Sequence, residues 1–395
     1  MQVIDRRKAM SIPPLLRLGF RPFFLAGALF AALALPLWIL ALHGSAGWQP
    51  SGGWLAWHRH ELVFGFGLAI IAGFLLTAVQ TWTGLPGLSG TPLAALAALW
   101  LAARVGWLVG LPALPLLVLE LVFPLWVALV MARMLWAVRQ KKNYPVVAVL
   151  VLLALADGLS MLGLLRGDDG LQRQGILAGV WLIAAMLGLI GGRVIPFFTQ
   201  RGVGRVEAFA PIVWLDWALL IGAPLVALVY AAGLGTTPSL AVGALFALLG
   251  LGHLVRLARW QDRRLWRVPL LWSLHLAYAW LAVACLGMAA WHFGWLASPS
   301  PATHALTVGA MGGLILAMIA RVSLGHTGRP LQPPRAMIGA FALLQFGTLA
   351  RVLLVEFWPL GSLHLAATCW ALAFGLFVVF YAPMLCRTRA DGHPG

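Results

Sequence analysis

Trp57-His58-Arg59-His60-Glu61 sets two imidazoles and a carboxylate at the mouth of a long apolar run. Imidazole is the usual ligand for haem iron, copper and zinc, and a neighbouring carboxylate can donate a proton or fix the ring. Other imidazoles stand at the ends of apolar runs: His43, His292, His304 and His364. His253, His275 and His326 form a second set, near Arg193, Arg321 and Arg329 in depth. Guanidinium groups there could clamp haem propionates or a lipid phosphate bidentately. The carboxylates within apolar runs are few, Glu61, Glu120, Asp157 and Asp216, and each could relay protons or pair with an arginine. A plainer reading stands beside each of these. A histidine at a helix end can simply occupy the polar interface, and an arginine there can snorkel. His275, well inside its run, is as readily a hydrogen-bonded packing residue as a ligand.

The elements that must position these residues are membrane spans. The chain has 395 residues, 62% hydrophobic and 10% charged, with mean hydropathy +0.93, against roughly 25% charged in a soluble domain. The net charge of +16 comes from short basic clusters between apolar runs, which excludes a nucleic-acid-binding face. Cys285, Cys369 and Cys386 form no CxxC and no CxxCH, so neither a disulfide framework nor covalent haem is expected. Runs long enough to cross a bilayer fall near 23–43, 57–80, 91–110, 113–137, 143–165, 171–192, 208–233, 237–259, 267–292, 302–324, 333–354 and 362–386. The expected fold is an all-α polytopic membrane protein of about twelve helices, a single transmembrane domain over 1–395. Arg6, Arg7 and Lys8 before the first run resemble a signal peptide. That run is long enough to span and lacks a plain cleavage site, so it reads as the first helix.

With both termini cytoplasmic, all of the 27 Lys and Arg except Arg59, Arg104, Arg166, Arg173 and Arg351 fall on the inner side. That is the asymmetry expected of a protein in a bacterial inner membrane. It places His58, His60, Glu61, His304 and His364 together at the outer boundary, at the starts of spans two, ten and twelve.

At about 100° per residue, His58 shares a helix face with Glu61, Gly65, Ala69 and Ala72, whose small side chains suit a bundle contact. His60 then shares a surface with Phe64, Gly67, Ile71 and Phe74, which suits lipid or a porphyrin plane. An offset of 244 superposes His60 on His304, Gly65 on Gly309, Thr83 on Thr327, Gly84 on Gly328 and Pro86 on Pro330. An offset of 128 carries Arg193-Val194 onto Arg321-Val322. Both suggest three four-helix units in which spans two, six and ten are equivalent.

Leu18-Gly19-Phe20-Arg21-Pro22-Phe23-Phe24, the motif at 57–61, Trp82-Thr83-Gly84, Gly192-Arg193-Val194-Ile195-Pro196-Phe197-Phe198-Thr199, His304-Ala305-Leu306-Thr307-Val308-Gly309 and Gly325-His326-Thr327-Gly328-Arg329-Pro330 resemble the NnrS family of bacterial haem- and copper-containing inner-membrane proteins. The resemblance covers nearly the whole chain. It implies twelve helices, b-type haem, copper and a role in nitric oxide stress. Arg59 stands where a small residue is expected between the two histidines. The three-unit arrangement is also similar to that of haem-copper oxidases, though spans six and seven carry no histidine, so any binuclear centre would be built differently.

The leading expectation is a nitric oxide reductase-like oxidoreductase. His58, His60, His304 and His364 form its metal-ligand pool and Glu61 its proton donor. Arg193, His275, Arg321, His326 and Arg329 bind cofactor, and membrane quinol supplies electrons. Its partners are then nitric oxide, quinol and membrane lipid, with no nucleic acid. A non-catalytic protein that handles haem or copper, shielding iron from nitrosylation, is the alternative from another class. A small-solute transporter is a third.

Overall fold

A computed structural model describes residues 10–393. Twelve helices are long and apolar enough to cross a membrane, and no strand occurs among the described residues. They are α1 (Phe20–Leu42), α2 (Trp54–Thr83), α3 (Thr91–Leu108), α4 (Ala113–Ala137), α5 (Lys141–Arg166), α6 (Asp169–Gly202), α7 (Val213–Ala231), α8 (Leu240–Arg259), α9 (Pro269–His292), α10 (Ser300–His326), α11 (Arg335–Leu353) and α12 (Pro359–Leu385). The protein is therefore a multi-pass membrane protein.

Local chemistry sets the boundaries. Proline occupies the first turn of α3, α9 and α10, where its missing N–H breaks no helical hydrogen bond. Gly84 and Gly167 close α2 and α5 in the left-handed conformation. The short α3–α4 connection is feasible because Gly110 adopts φ 74° and Leu111 N–H bonds Gly106 O at 2.9 Å.

Burial separates the helices into two kinds. In their most apolar stretches, α2, α6 and α10 are 83%, 78% and 78% buried, and no other span exceeds 61%. These three are the spans that the sequence offsets pick out as equivalent.

The chain divides into two compact units. The first comprises residues up to Gly179, Ile319–Leu331 and the segment from Phe374 onward. Its core near the start of α2 packs Trp54, Trp57, Trp107, Leu116 and Met161. The second comprises Val180–Met318 and Gln332–Ala373. There Phe246 of α8 meets Trp181 and Tyr230, and Arg256 pairs with Asp216 at 2.7 Å.

Besides the 3-10 turn at Lys141–Asn143 that opens α5, two segments depart from α-helical winding. Glu61–Gly67 in α2 and Ala305–Gly312 in α10 are π-helical, each beginning on the residue after a histidine. Such turns are rare and are frequent at functional sites.

Candidate functional site

The first π-helical turn builds a buried ionic cluster around His60. An extra residue per turn leaves backbone carbonyls without their usual partners, and Trp100 Nε1–H donates to one of them, Gly65 O, at 2.8 Å. Glycine at 65 leaves room for the cluster's side chains. A Cβ there would lie 2.6 Å from Arg104 Nη1 and 3.2 Å from Glu61 Oε2.

His60 Nδ1 lies 3.1 Å from Glu61 Oε1, and Nε2 lies 2.9 Å from Asp157 Oδ1. Arg104 Nε sits 3.1 Å from Glu61 Oε2. The same guanidinium pairs closely with Glu120, whose Oε1 also accepts from Trp107 Nε1–H at 2.8 Å. His60, Glu61 and Asp157 are fully enclosed, and Arg104 and Glu120 nearly so. The cluster draws on α2, α3, α4 and α5, all within the first unit.

Three carboxylates face one guanidinium. A neutral imidazole has a single N–H, so it can donate to Asp157 or to Glu61 but not to both. The group therefore calls for further positive charge, as protons or as a cation, because uncompensated charge inside a membrane is costly. A compact cation fits: ligand atoms from His60, Glu61 and Glu120 all lie within 4.8 Å of one another. Asp157 on Nε2 would then fix the ring tautomer and turn Nδ1 toward the ion, as second carboxylates do in histidine–metal sites. Haem does not fit at His60. Both ring nitrogens face carboxylates, and the ring is packed against Trp107 at 4.5 Å and Phe64 at 5.1 Å between centroids.

The helical-wheel assignment of the two histidines is corrected here. His60, expected on a lipid or porphyrin surface, is fully buried beside Glu61. His58, expected to share the inner face with Glu61, is half-buried and stacks on Trp38 at 4.5 Å. The wheel assumes constant α-winding and one outward face. A π-turn begins at Glu61, and α2 has no outward face along most of its length.

The remaining expected ligands are dispersed. His304 donates from Nδ1 to Ser300 O at 2.8 Å, and its Nε2 lies 3.3 Å from Arg351 Nη2. His364 is exposed. The His275 ring lies between two carbonyls, with Nδ1 3.0 Å from Leu271 O and Nε2 3.4 Å from Trp260 O. Arg193 is exposed, whereas Arg321 is buried. The His326 ring lies 5.5 Å from that of Phe20, and Arg329 Nη1 bonds Thr327 O at 3.2 Å. In the sequence Glu120 and Asp157 read only as isolated acids and Arg104 only as an exception to charge asymmetry. The structure joins all three to His60.

The family model described as NnrS protein matches residues 14–389. The chain belongs to the NnrS family. No curated protein matches it. For an NnrS-family membrane protein a role related to nitric oxide is consistent, and the His60–Glu61–Glu120 group is this member's candidate metal centre.

Proposed function

We propose that this NnrS-family protein is a bacterial inner-membrane protein, with both termini cytoplasmic, that binds nitric oxide and reduces it at a His60-ligated metal centre near the periplasmic face. One observation carries the reading: a buried histidine and two carboxylates with mutually close ligand atoms, in a cluster whose acids outnumber its fixed cation. Of the metals that imidazole ligates, copper and iron do redox work, and copper is the one proposed here. When bound, it would supply one-electron chemistry and a position for nitric oxide.

The chain's own residues would do the rest. His60, Glu61 and Glu120 hold the ion. Asp157 orients His60 through Nε2. Arg104 offsets part of the carboxylate charge, and Trp57 and Trp107, both fully enclosed, keep bulk water out. Coupling two molecules of nitric oxide to nitrous oxide and water consumes two electrons and two protons, which one membrane quinol provides. Haem b, if bound, would take His275 as a ligand only once one ring nitrogen leaves its carbonyl partner.

A non-catalytic metal-handling role draws on a different feature. Arg104 already pairs with both ligand carboxylates, so the cluster can close without an ion, as a site that loads and releases metal must.

Purified protein is assayed for copper and haem, and nitric oxide consumption is followed with an electrode in the presence of a reduced quinol. Sustained multiple turnover that disappears in His60→Ala together with bound copper supports reduction at this site. Stoichiometric binding without turnover favours metal handling. Turnover that survives His60→Ala refutes the assignment of the centre.

A further inference from the structure

The other pronounced charge cluster lies in the first unit where the segment after α12 crosses the start of α1 and the end of α10. Arg21 is wholly enclosed. Its Nη1 donates to Leu385 O at 2.8 Å and to Arg387 O at 2.7 Å, capping the last turn of α12. Its Nε and Nη2 meet no partner among the described residues. Capping accounts for one nitrogen and leaves two buried charged donors unmatched, which native structures rarely tolerate.

The charged neighbours that act on Arg21 include Arg17, Arg329 and Arg389, all cationic. Arg389 Nη1 donates to His326 O at 3.2 Å, which brings its guanidinium to the end of α10, and the His326 ring packs on Phe20 beside Arg21. One acidic side chain joins the group. Asp391 accepts from Arg389 Nε at 2.9 Å and from Nη2 at 2.5 Å. It also lies where a Cβ on Gly328 would be, 2.7 Å away, at a residue with φ 71°. Arg389 holds the Asp391 carboxyl well below the usual carboxylate range. Two further buried groups, Ser323 Oγ and Tyr381 Oη, are also without partners among the described residues. They stand one helical turn before Thr327 on α10 and before Leu385 on α12, on the faces that lead into the cluster.

Arg389 pairing with the tail carboxylate of Asp391, with the unmatched donors of Arg21 buried nearby, has the make-up of an oxyanion site occupied by its own chain. We propose that Arg21, Arg329 and Arg389, with His326, bind the acidic group of a membrane amphiphile, phosphate or carboxylate, which takes the place of the Asp391 carboxylate. Two sources offer that chemistry at a membrane boundary, the phosphate of an anionic phospholipid and the propionates of haem. Either could take the place of the Asp391 side chain once that side chain turns away from Arg389, and both would pair bidentately with guanidinium. The site does not depend on the His60 centre, so each assignment can fail without the other.

The test uses full-length detergent-purified protein. Native mass spectrometry with added phosphatidylglycerol, and phosphatidylcholine as control, measures lipid binding, and the pyridine haemochrome measures retained haem. Arg389→Gln is the deciding variant, because Arg21→Gln also removes the α12 cap and can fail to fold. Loss of one guanidinium contact is expected to weaken phosphatidylglycerol binding about tenfold, or to lower retained haem about as much. Phosphatidylcholine binding should not change. A fall in lipid alone identifies the phosphate and a fall in haem alone the propionates. Asp391→Asn removes the competing carboxylate and should strengthen whichever ligand binds. If Arg389→Gln changes neither ligand, or if Asp391→Asn weakens binding as much as Arg389→Gln does, the cluster is a structural latch and the proposal fails.

Discussion

The π-helical turns of α2 and α10 are the same backbone device placed in opposite electrostatic settings. They begin at Glu61 and Ala305, and an offset of 244 relates two of their contacts. His60 meets the Trp107 ring, and His304 meets Arg351, the residue 244 positions after Trp107. A Cβ on Gly65 would meet Arg104, and one on Gly309 would meet Thr348, again 244 positions on. Around His60 the chain has gathered three carboxylates. Around His304 it has placed a guanidinium, the Ser300 hydroxyl and no carboxylate that any described contact shows. The repeat therefore preserves the geometry that presents a histidine, while the chemistry is set by the side chains that differ. The first site suits a cation, whereas at the second the imidazole already accepts from a cation.

The sharpest way to break this comparison is to remove the two arginines in turn. Arg104→Gln leaves Glu61 and Glu120 buried without their counter-charge and should cost about 3–5 kcal/mol. It would show as a large drop in thermal midpoint in detergent and in the yield of folded protein. Arg351→Gln strands no carboxylate and should cost about 1 kcal/mol. Equal losses would mean that the two sites are not electrostatic opposites.

Metal affinity sharpens the contrast next. Asp157→Asn keeps the shape beside His60 Nε2 but weakens the acceptor that orients the ring, so copper affinity measured by chelator competition should fall about 10–100-fold. His304→Ala should leave that affinity unchanged. A fall only in His304→Ala would move the centre to α10.

How much of this could be read from the sequence depends on which interactions set it. The twelve spans were legible because bilayer thickness fixes their length and because glycine and proline mark their ends, even at Gly110-Leu111-Pro112. The equivalence of the spans holding His60 and His304 was legible from a few residues, and the matching contacts at 107 and 351 extend it. The Arg104–Glu120 pair lay within reach. The two residues sit on either side of a tight connection, so their depths nearly match, and a lone arginine outside the charge asymmetry needs a partner there. The His60–Asp157 contact was not legible, since nothing local ties residues 97 apart on different helices. Nor was the true face of His60, because a wheel cannot register the π-turn that follows it. Arg21 was legible only as part of a family motif. Its burial depends on where the segment after α12 lies.

The two glycines differ in what blocks a side chain. At Gly309 an added methyl would meet Trp280 Cγ at 2.5 Å and Thr348 Cγ2 at 2.8 Å. The indole is rigid near its root, so Gly309→Ala should cost about 1–3 kcal/mol. At Gly65 the obstacle is the far end of Arg104, which can retreat at lower cost, but only by loosening its pair with Glu61. Gly65→Ala should therefore be the milder variant for stability and the more damaging one for copper binding. The reverse order would show that the cluster tolerates movement of Arg104.

The smallest expected effect concerns the π-turn itself. Trp100 Nε1–H satisfies Gly65 O, and the Arg104 guanidinium lies 5.8 Å from the same indole. Trp100→Phe keeps an aromatic face for the guanidinium and removes only the donor. The carbonyl is buried and has no water to turn to, so the loss should be about 1 kcal/mol, read as a small drop in thermal midpoint with copper binding retained. In α10 the corresponding position is Leu344, which has no N–H to give, and Trp280 Nε1–H goes to Gln345 Oε1 instead. Trp280→Phe should therefore disturb α9–α11 packing without touching a π-turn carbonyl. If Trp100→Phe instead abolishes copper binding, the turn is held open by that single hydrogen bond, and the geometry of the His60 site depends on α3 as much as on α2.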